Sequence, residues 1–445
     1  MCLKGKNDTG YRYVKEAIAR GAVLILADSP INAKVPVILC SDPREKMAEL
    51  AKIIYKKSDE KMKVVGVTGT NGKTTTTHLI KDIFVNAKQN TCLIGTNGCY
   101  YNNHMTDRTF TTSTTPESCD LFEILKNMHD LGSENAVMEV SSHALSQKRV
   151  DGMDFDIAVF TNLTQDHLDY HKSMDEYFKA KEKLFSMAKK CIINTDDEYG
   201  KILYDKFKDK SISYGLKEAD VFANNLEFKN DGVDFLINDR GKVKKCHIAI
   251  MGKFSVYNAL ASYLVTKECG IDDEVISDTL SKTEGVKGRA EKLLLDTEFS
   301  VIIDYAHTPD GMENIINAMK NNQKGRIITL FGCGGNRDKE KRSVMGEISG
   351  RLSDFTIITS DNPRFENPHD IINDIEKGIK TVTKNYIKIT DRKDAIEYAI
   401  DFAKKDDIVL LLGKGHEDYI IFGKEKVYFD EREIVKNYIN NRKES

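Results

Sequence analysis

Val64-Val65-Gly66-Val67-Thr68-Gly69-Thr70-Asn71-Gly72-Lys73-Thr74-Thr75-Thr76-Thr77 is the stretch from which the rest of the chain is read. The β-branched run before Gly69 reads as a buried strand. The residues after the Lys-Thr pair, His78-Leu79-Ile80-Lys81-Asp82-Ile83-Phe84, can continue as a helix. Strand, glycine-rich turn and helix N-terminus together make a phosphate cradle. Backbone N–H groups and the helix dipole face the anion, Lys73 supplies a point charge, and the Thr74 hydroxyl can ligate Mg²⁺. The usual loop has four residues between its first glycine and Gly-Lys. Here Val67 stands at that glycine position, so the loop is a compressed Gly69-x-x-Gly72-Lys73-Thr74. An ordinary Gly/Asn turn is the bland alternative, and the Lys-Thr pair after a strand weighs against it. The chain is expected to bind a nucleoside triphosphate.

The 445 residues are too many for one core, and roughly three domains are expected. With 40% hydrophobic and 30% charged residues the composition is that of a globular protein in water. A net charge of −3 leaves no electrostatic footprint for nucleic acid or a membrane surface. No apolar run is long enough to span a bilayer, and residues 1–20 lack a signal-peptide apolar core. Nine scattered cysteines, none in a Cys-x-x-Cys pair, argue for a reducing compartment and against structural zinc. A cytoplasmic location follows as the expectation.

Pattern changes give three α/β domains in series, at 1–62, 63–293 and 294–445. In the first, Val14–Ala19 is helical in pattern, Ala22–Leu26 and Val35–Leu39 are strand-like, and Pro43–Lys57 reads as a helix capped by Ser41 or Asp42. In the second, Ala136–Val140, Ile157–Phe160 and Cys191–Ile193 are short apolar runs of the parallel-sheet kind. The polar stretch 210–250 reads as an antiparallel meander. In the third, Val301–Asp304, Ile327–Phe331, Phe355–Thr359 and Ile408–Leu412 are strands, and each runs into a polar loop. Those loops are Tyr305–Asp310, Gly332–Asp338, Asp361–Arg364 and Gly413–Glu417. A parallel sheet would put all four at one edge, where a second ligand binds.

Two further clusters follow strands of the middle domain: Glu139-Val140-Ser141-Ser142-His143 and Thr161-Asn162-Leu163-Thr164-Gln165-Asp166-His167-Leu168-Asp169. A carboxylate and an imidazole beside a triphosphate can hold Mg²⁺ or an orienting water. Each also has a bland reading, Glu139 as a helix cap and His167 as a turn residue. The helical stretch Tyr177–Phe185 carries three lysines, ordinarily a solvated face. Lys181 joins the chemistry only if buried near the metal, where a shifted pKa or an anionic modification is required.

Taken together these residues resemble the Mur ligases, and within them the members that add the third amino acid of the cell-wall stem peptide. The similarity runs over essentially 1–445. Its motifs are Gly69–Thr74, Thr114-Thr115-Pro116-Glu117, Glu139–His143, Asp166-His167-Leu168-Asp169, Ala180-Lys181, Asp304-Tyr305-Ala306-His307 and Asp361-Asn362-Pro363-Arg364. The resemblance implies an α/β fold of three domains: a small N-terminal one, a central P-loop-type ATPase and a Rossmann-like C-terminal one. It also implies an ATP-dependent amide ligation through an acyl phosphate on the D-Glu γ-carboxylate of UDP-MurNAc-L-Ala-D-Glu. By motif position, Gly69, Thr70, Asn71, Gly72, Lys73, Thr74, Thr75 and Asn258 would hold ATP. Thr74, Glu139 and His167 would form the Mg²⁺ shell, with Lys181 carbamylated by CO₂ to N6-carboxylysine. Lys73, Lys181, His167 and Glu139 would carry catalysis. Thr114, Thr115, Ser141, Gln147 and Arg149 would hold the UDP-MurNAc-dipeptide. Arg337, Asp361, Asn362, Pro363, Arg364, Gly413 and Glu417 would form the amino-acid pocket.

In the family Asp-Asn-Pro-Arg marks members that take meso-diaminopimelate, while lysine-adding members lack the Arg. A guanidinium at Arg364 can grip the second carboxylate bidentately, and Glu417 suits the distal ammonium. The partners implied are small molecules, with no nucleic acid or membrane, acting on a monomer. The sequence departs from the family at Asn336, commonly Asp, and at Ser255, commonly Asn. The first domain also reads as shortened, so either the start lies upstream or uridine binds differently. The rival readings are a lysine-adding ligase, a folylpolyglutamate-synthetase-like ligase, a nucleotide-driven switch and a non-catalytic nucleotide-binding paralogue. Asp361–Arg364 and Glu139–His143 favour the cell-wall ligase over the folate enzyme.

Overall fold

The computed structural model describes residues 1–5, 8–108, 110, 112, 114–229, 231–320 and 324–444. Its largest element is an eleven-stranded sheet. From one edge the order is Lys242–Ile248, Gly232–Asp239, Val221–Lys229, Ser211–Gly215, Ala188–Asn194, Phe155–Phe160, Lys63–Thr68, Asn135–Glu139, Thr91–Gly95, Gly98–Tyr101 and His104–Met105. The six strands from Ser211–Gly215 to Thr91–Gly95 run parallel. The expected meander is antiparallel over its last three strands, whereas Ser211–Gly215 pairs parallel to Ala188–Asn194 and belongs to the core.

Period-2 alternation sets what each face buries. Val65, Val67, Val137, Ile157 and Val159 point to one side, under helices Lys73–Asn86 and Lys253–Glu268. Val64, Ala136, Met138, Ala158 and Phe160 point to the other, under Ser118–Asp130 and Met174–Ser186. Burial on both faces explains why these strands read as continuous apolar runs.

A second sheet of six strands has the order Glu291–Lys292, Ser300–Asp304, Ile408–Leu412, Ile327–Phe331, Phe355–Ile358 and Tyr386–Lys388. All but the first are parallel. Ile302, Leu410 and Leu412 pack beneath helices Pro309–Lys320, Glu340–Leu352 and Pro368–Ile379. Val301, Ile303, Val409 and Leu411 face Arg392–Phe402 and the C-terminal helix. The four polar loops expected at one edge do emerge there, because the strands that carry them share one direction.

The first sixty residues build a small unit around Cys2, Val14, Ile25 and Ala27. Its two strands are parallel, Ile25–Ala27 beside Val37–Leu39, so the first is displaced from the expected Ala22–Leu26. Val23 and Leu24 are exposed and outside the pairing. Asp42, rather than Ser41, caps helix Pro43–Ile54 by accepting from the N–H groups of Arg44 and Glu45. That helix ends before Lys57 because Lys56 and Lys57 turn left-handed, with φ of 62° and 51°. The nine cysteines are free thiols. Among the described residues no helix is long and apolar enough to cross a membrane.

Candidate active site

Four parallel strands deliver their C-terminal ends to one edge of the large sheet. They supply the loop Gly69–Gly72, Thr96 after Thr91–Gly95, the segment after Glu139, and Thr161–His167 after Phe155–Phe160. The phosphate loop needs its two glycines. Gly72 has φ +85°, and a Cβ there would meet Asn258 Oδ1 at 2.6 Å; at Gly69 one would collide with Thr161 Oγ1. Lys73 opens helix Lys73–Asn86, and its Nζ folds back onto the carbonyls of Gly69 (3.0 Å) and Thr70 (2.9 Å). Burial, and Arg289 nearby, push the Lys73 ammonium down, with Glu139 opposing. Asn258 lies behind the loop and accepts from Thr76 Oγ1 at 3.3 Å.

Thr74 Oγ1 donates to Glu139 Oε2 at 3.1 Å. The carboxylate is fixed by Thr96, whose N–H reaches Oε1 at 2.8 Å and whose hydroxyl reaches Oε2 at 3.1 Å. A hydroxyl and a carboxylate oxygen side by side are the hard donors Mg²⁺ takes. A cation already sits against this pair, since Arg289 Nη2 donates to Thr74 Oγ1 at 3.1 Å. Among the described residues no three His, Cys, Asp or Glu side chains cluster at metal-binding spacing. The donors therefore suit Mg²⁺ shared with phosphate oxygens rather than a preformed cage.

His167 lies on the loop that follows strand Phe155–Phe160. It is left-handed at φ 55°, its N–H bonds Asp166 Oδ1 at 2.8 Å, and its Nε2 lies 3.4 Å from Asp166 Oδ2. Its ring meets His143 edge-on at 4.9 Å and Tyr177 at 6.1 Å. Burial, only partly offset by Asp166, lowers its pKa to about 4, so the imidazole is neutral near pH 7 and able to ligate a metal.

Lys181 is buried at 2% exposure, against the bland reading of that helix as a solvated face. Its Nζ donates to Gly69 O at 2.8 Å and sits 4.6 Å from the Tyr177 ring. Burial, and then Lys73, push its pKa well below the usual lysine range, with Asp166 opposing. Tyr177 OH in turn lies 3.2 Å from Thr70 Oγ1.

Beyond Glu139, Thr115 Oγ1 donates to the Glu139 carbonyl at 2.9 Å and accepts from Ser141 N at 3.0 Å. Thr114, left-handed at φ 66°, reaches Thr96 Oγ1 at 3.0 Å. Arg149 binds the Thr115 carbonyl at 2.9 Å and Gln147 Oε1 at 2.6 Å. These five expected residues form one connected group next to Thr74 and Glu139. Arg44, from the N-terminal unit, joins it through Glu117 at 3.0 Å.

The loops of the six-stranded sheet gather a separate charged pocket. Arg364, at φ 53°, points its Nη1 to the Gly335 carbonyl at 2.9 Å. Among the described residues no carboxylate lies within ion-pair distance of Arg364 or of exposed Arg337. Burial and then Arg337 lower the Arg364 pKa. Asn362 Nδ2 donates to Glu417 Oε2 at 2.9 Å, and Lys414 Nζ donates to Asp361 Oδ1 at 3.1 Å. Gly413, at φ 107°, faces Asp361 Oδ2. Arg342, fully buried, splints the loops that carry Arg337 and Arg364. Its Nη1 and Nη2 each lie 3.0 Å from a Glu366 oxygen, and Nη2 also reaches the Gly334 carbonyl.

The two sheets' loops touch. Asn71 Nδ2 of the phosphate loop donates to Asp310 Oδ2 at 2.7 Å, at the start of helix Pro309–Lys320. Arg289 adds a second link, stacking over the Tyr305 ring at 4.7 Å while bonding Thr74.

Residues 67–266 match the Mur ligase middle domain, and residues 288–415 match the Mur ligase glutamate ligase domain. The chain belongs to the Mur ligase family. A UDP-N-acetylmuramoyl-L-alanyl-D-glutamate–2,6-diaminopimelate ligase of Caldanaerobacter subterraneus subsp. tengcongensis is 47% identical over 444 residues, 99% of this chain and 91% of that one. Ligase 1 of the same name from Clostridium acetobutylicum is 43% identical, with the same coverage. A solved structure of a ligase so named aligns with TM-score 0.70 at 30% identity, covering 98% of this chain and 90% of that one. A Mycobacterium tuberculosis folylpolyglutamate synthase, complexed with ADP and AMPPCP, aligns with TM-score 0.68 at 12% identity over 90% of this chain and 95% of that one. It shares the fold.

Several residues in contact with the expected site were not singled out by the motifs. Thr96 ends a strand at the same sheet edge as Glu139, so extending the strand-then-polar-loop test to Thr91–Gly95 would have found it. Arg289, Asp310 and Lys414 carry no local signature beyond charge. Arg289 and Asp310 meet Thr74 and Asn71 from far away in sequence, and Lys414 meets Asp361 and Asn362 across about fifty positions as well as Glu417 close by.

Proposed function

We infer that this chain is an ATP-dependent ligase that joins meso-diaminopimelate to the D-Glu γ-carboxylate of UDP-N-acetylmuramoyl-L-alanyl-D-glutamate, a cytoplasmic step of peptidoglycan precursor synthesis. Residues 1–62 would serve the uridine end, 63–293 ATP and the acyl centre, and 294–445 the incoming amino acid.

The γ-carboxylate oxygen attacks the terminal phosphorus and ADP leaves. The neutral amine then attacks the acyl carbon, phosphate leaves from the tetrahedral intermediate, and the nitrogen gives up one proton while keeping the amide N–H. Lys73 and the loop Gly69–Thr75 hold the phosphates, with Asn258 behind them. Thr114, Thr115, Ser141, Gln147 and Arg149 aim the dipeptide carboxylate at that point. Thr74, Glu139 and His167 would hold Mg²⁺, which when bound neutralises charge where two anions must meet. Lys181, its pKa pushed well below the usual lysine range by burial, would add to CO₂ through the Nζ lone pair of its neutral form and lose a proton, giving an anionic N6-carboxylysine. Arg364 and Arg337 receive the distal carboxylate, and Glu417 with Asp361 and Asn362 the distal ammonium.

The observation that carries this reading is the Asn71–Asp310 contact. It sets a phosphate loop against the domain whose pocket offers two guanidiniums with no carboxylate partner among the described residues. The unpaired Arg364 favours diaminopimelate over lysine, which has no second carboxylate to offer it. Incubation with the UDP-dipeptide, ATP and a mixture of lysine and meso-diaminopimelate, followed by product mass, tests it. The diaminopimelate adduct is expected; a lysine adduct overturns the substrate, and no adduct overturns the ligase.

A further inference from the structure

Lys414 follows strand Ile408–Leu412 and has no solvent exposure. Its Nζ donates to Asp361 Oδ1 at 3.1 Å and to Asn362 Oδ1 at 3.2 Å, and lies 3.5 Å from Glu417 Oε2. Asn362 closes the group by donating Nδ2 to the same Glu417 oxygen at 2.9 Å. One buried ammonium therefore ties together three residues expected to hold the incoming amino acid, while Arg364 stands across the pocket.

Two carboxylates that share one ammonium are necessarily close to each other. Without that cation they repel, and one takes up a proton near neutral pH. The tendency is already visible: burial and then Asp361 raise the Glu417 pKa against Lys414. Burial acts on Asp361 in the same direction, but Lys414 and Arg392 outweigh it and hold that pKa low.

We propose that Lys414 is a positioning residue for amino-acid specificity, its ammonium keeping Asp361 and Glu417 side by side as a pair that receives the ammonium end of a diamino acid. The pair and Lys414 together carry one net negative charge, matched to one ammonium. The claim rests on the function inferred above. The guanidiniums of Arg364, Arg337 and Arg392 also face the pair, while burial pushes Tyr305 and Tyr419 upward and lowers His416 to about 3. Loss of Lys414 would thus expose the titration of the carboxylate pair itself.

The test uses the full chain with Lys414→Met and Lys414→Arg. KM for meso-diaminopimelate is read from phosphate release between about pH 6.5 and 8.5, at saturating ATP and UDP-dipeptide. Lys414→Met is expected to raise this KM about tenfold or more near pH 7, with the variant-to-wild-type ratio falling as pH rises. KM for ATP should stay within about twofold, and Lys414→Arg should restore most of the loss. A ratio near one, a raised ratio that is flat with pH, or a parallel rise in KM for ATP overturns the proposal. If Lys414→Met does not fold, Lys414→Met/Glu417→Gln removes the repulsion with its counter-charge. Recovery of folded protein supports the proposal, and failure to recover overturns it. Wild-type turnover separates the two claims: its absence with meso-diaminopimelate overturns the substrate reading and this proposal together, whereas turnover with an unaltered variant KM overturns this proposal alone.

Discussion

Replacing Arg364 by Ala removes the group on which the choice of amino acid turns. The guanidinium is oriented by the Gly335 carbonyl at 2.9 Å, which occupies Nη1 and leaves the rest of the fork for a carboxylate. Two charge-assisted hydrogen bonds to an otherwise unpaired carboxylate are worth about 2–4 kcal/mol. The side chain is only partly buried, and solvent screening pulls the expectation toward the lower end, about 2 kcal/mol. That corresponds to a rise of about 30-fold in KM for meso-diaminopimelate. Arg364→Lys keeps the charge and loses the fork, so it should fall between Ala and wild type. The assay is phosphate release against diaminopimelate concentration at saturating ATP, with KM for ATP measured in parallel. The ATP value should not move, since the hydrogen bonds of Arg364, to Gly335, Asn362, Ile421 and Gly423, all lie within the C-terminal unit. A diaminopimelate KM within about threefold of wild type would refute the reasoning. An equal rise in both KM values would show instead that the loop had collapsed.

Lys181→Ala should abolish phosphate release, by about a thousandfold or more, while the fold survives as judged by far-UV circular dichroism. Thr96→Val keeps the N–H that reaches Glu139 but loses the hydroxyl at 3.1 Å; kcat should drop about tenfold, with KM for ATP little changed. Stability should fall as pH drops from about 6.5 to 5, measured as the thermal midpoint. Burial lowers His78 and His416 to about 3 from 6.5, so the unfolded chain takes up protons that the folded one refuses. Above pH 6.5 neither state binds these protons and the midpoint should be flat from this source. His78→Gln should shallow the slope, and an unchanged slope would count against burial as its cause.

The strands were legible because burial on both faces leaves unbroken apolar runs. Ile327–Phe331 and Ile408–Leu412 fall where the sequence puts them. The hairpin Gly98–Tyr101 with His104–Met105 left no such trace, since it is a sheet edge with partly exposed and exposed residues. Meander and core also could not be separated at Ser211–Gly215, where register to a distant strand decides. The site divides the same way. Gly69–Thr74, Glu139 and Asp361–Arg364 announce themselves because backbone geometry and chemistry coincide in a few consecutive residues. Arg289 acquires meaning only by reaching Thr74 across 215 positions, and Asp310 by reaching Asn71 across 239. Lys181 lay between these cases. Its spacing was ordinary; the Ala180-Lys181 motif singled it out by resemblance, and burial is the physical feature that separates it from Lys179 and Lys183 on the same helix.

One electrostatic theme runs through all the inferred substrate positions. Lys73 and Lys181 beside the phosphate loop, Arg149 in the dipeptide group and Arg364 in the amino-acid pocket all have pKa values pushed down, with burial the largest cause each time. Positive charge taken out of water and left without full compensation costs the folded chain stability. Its natural counter-charges are a triphosphate, the anionic UDP-dipeptide and the distal carboxylate of the diamino acid. Each substrate that binds should therefore offset desolvation already present in the free protein, and raise stability by mass action as it does so. A fold tuned for stability alone would neutralise these cations internally, as Arg392 is neutralised by Glu431 at 2.8 Å in the same C-terminal unit. The chain satisfies Arg392 and, among the described residues, leaves Arg364 without a carboxylate partner, which fits the recognition role inferred for it above.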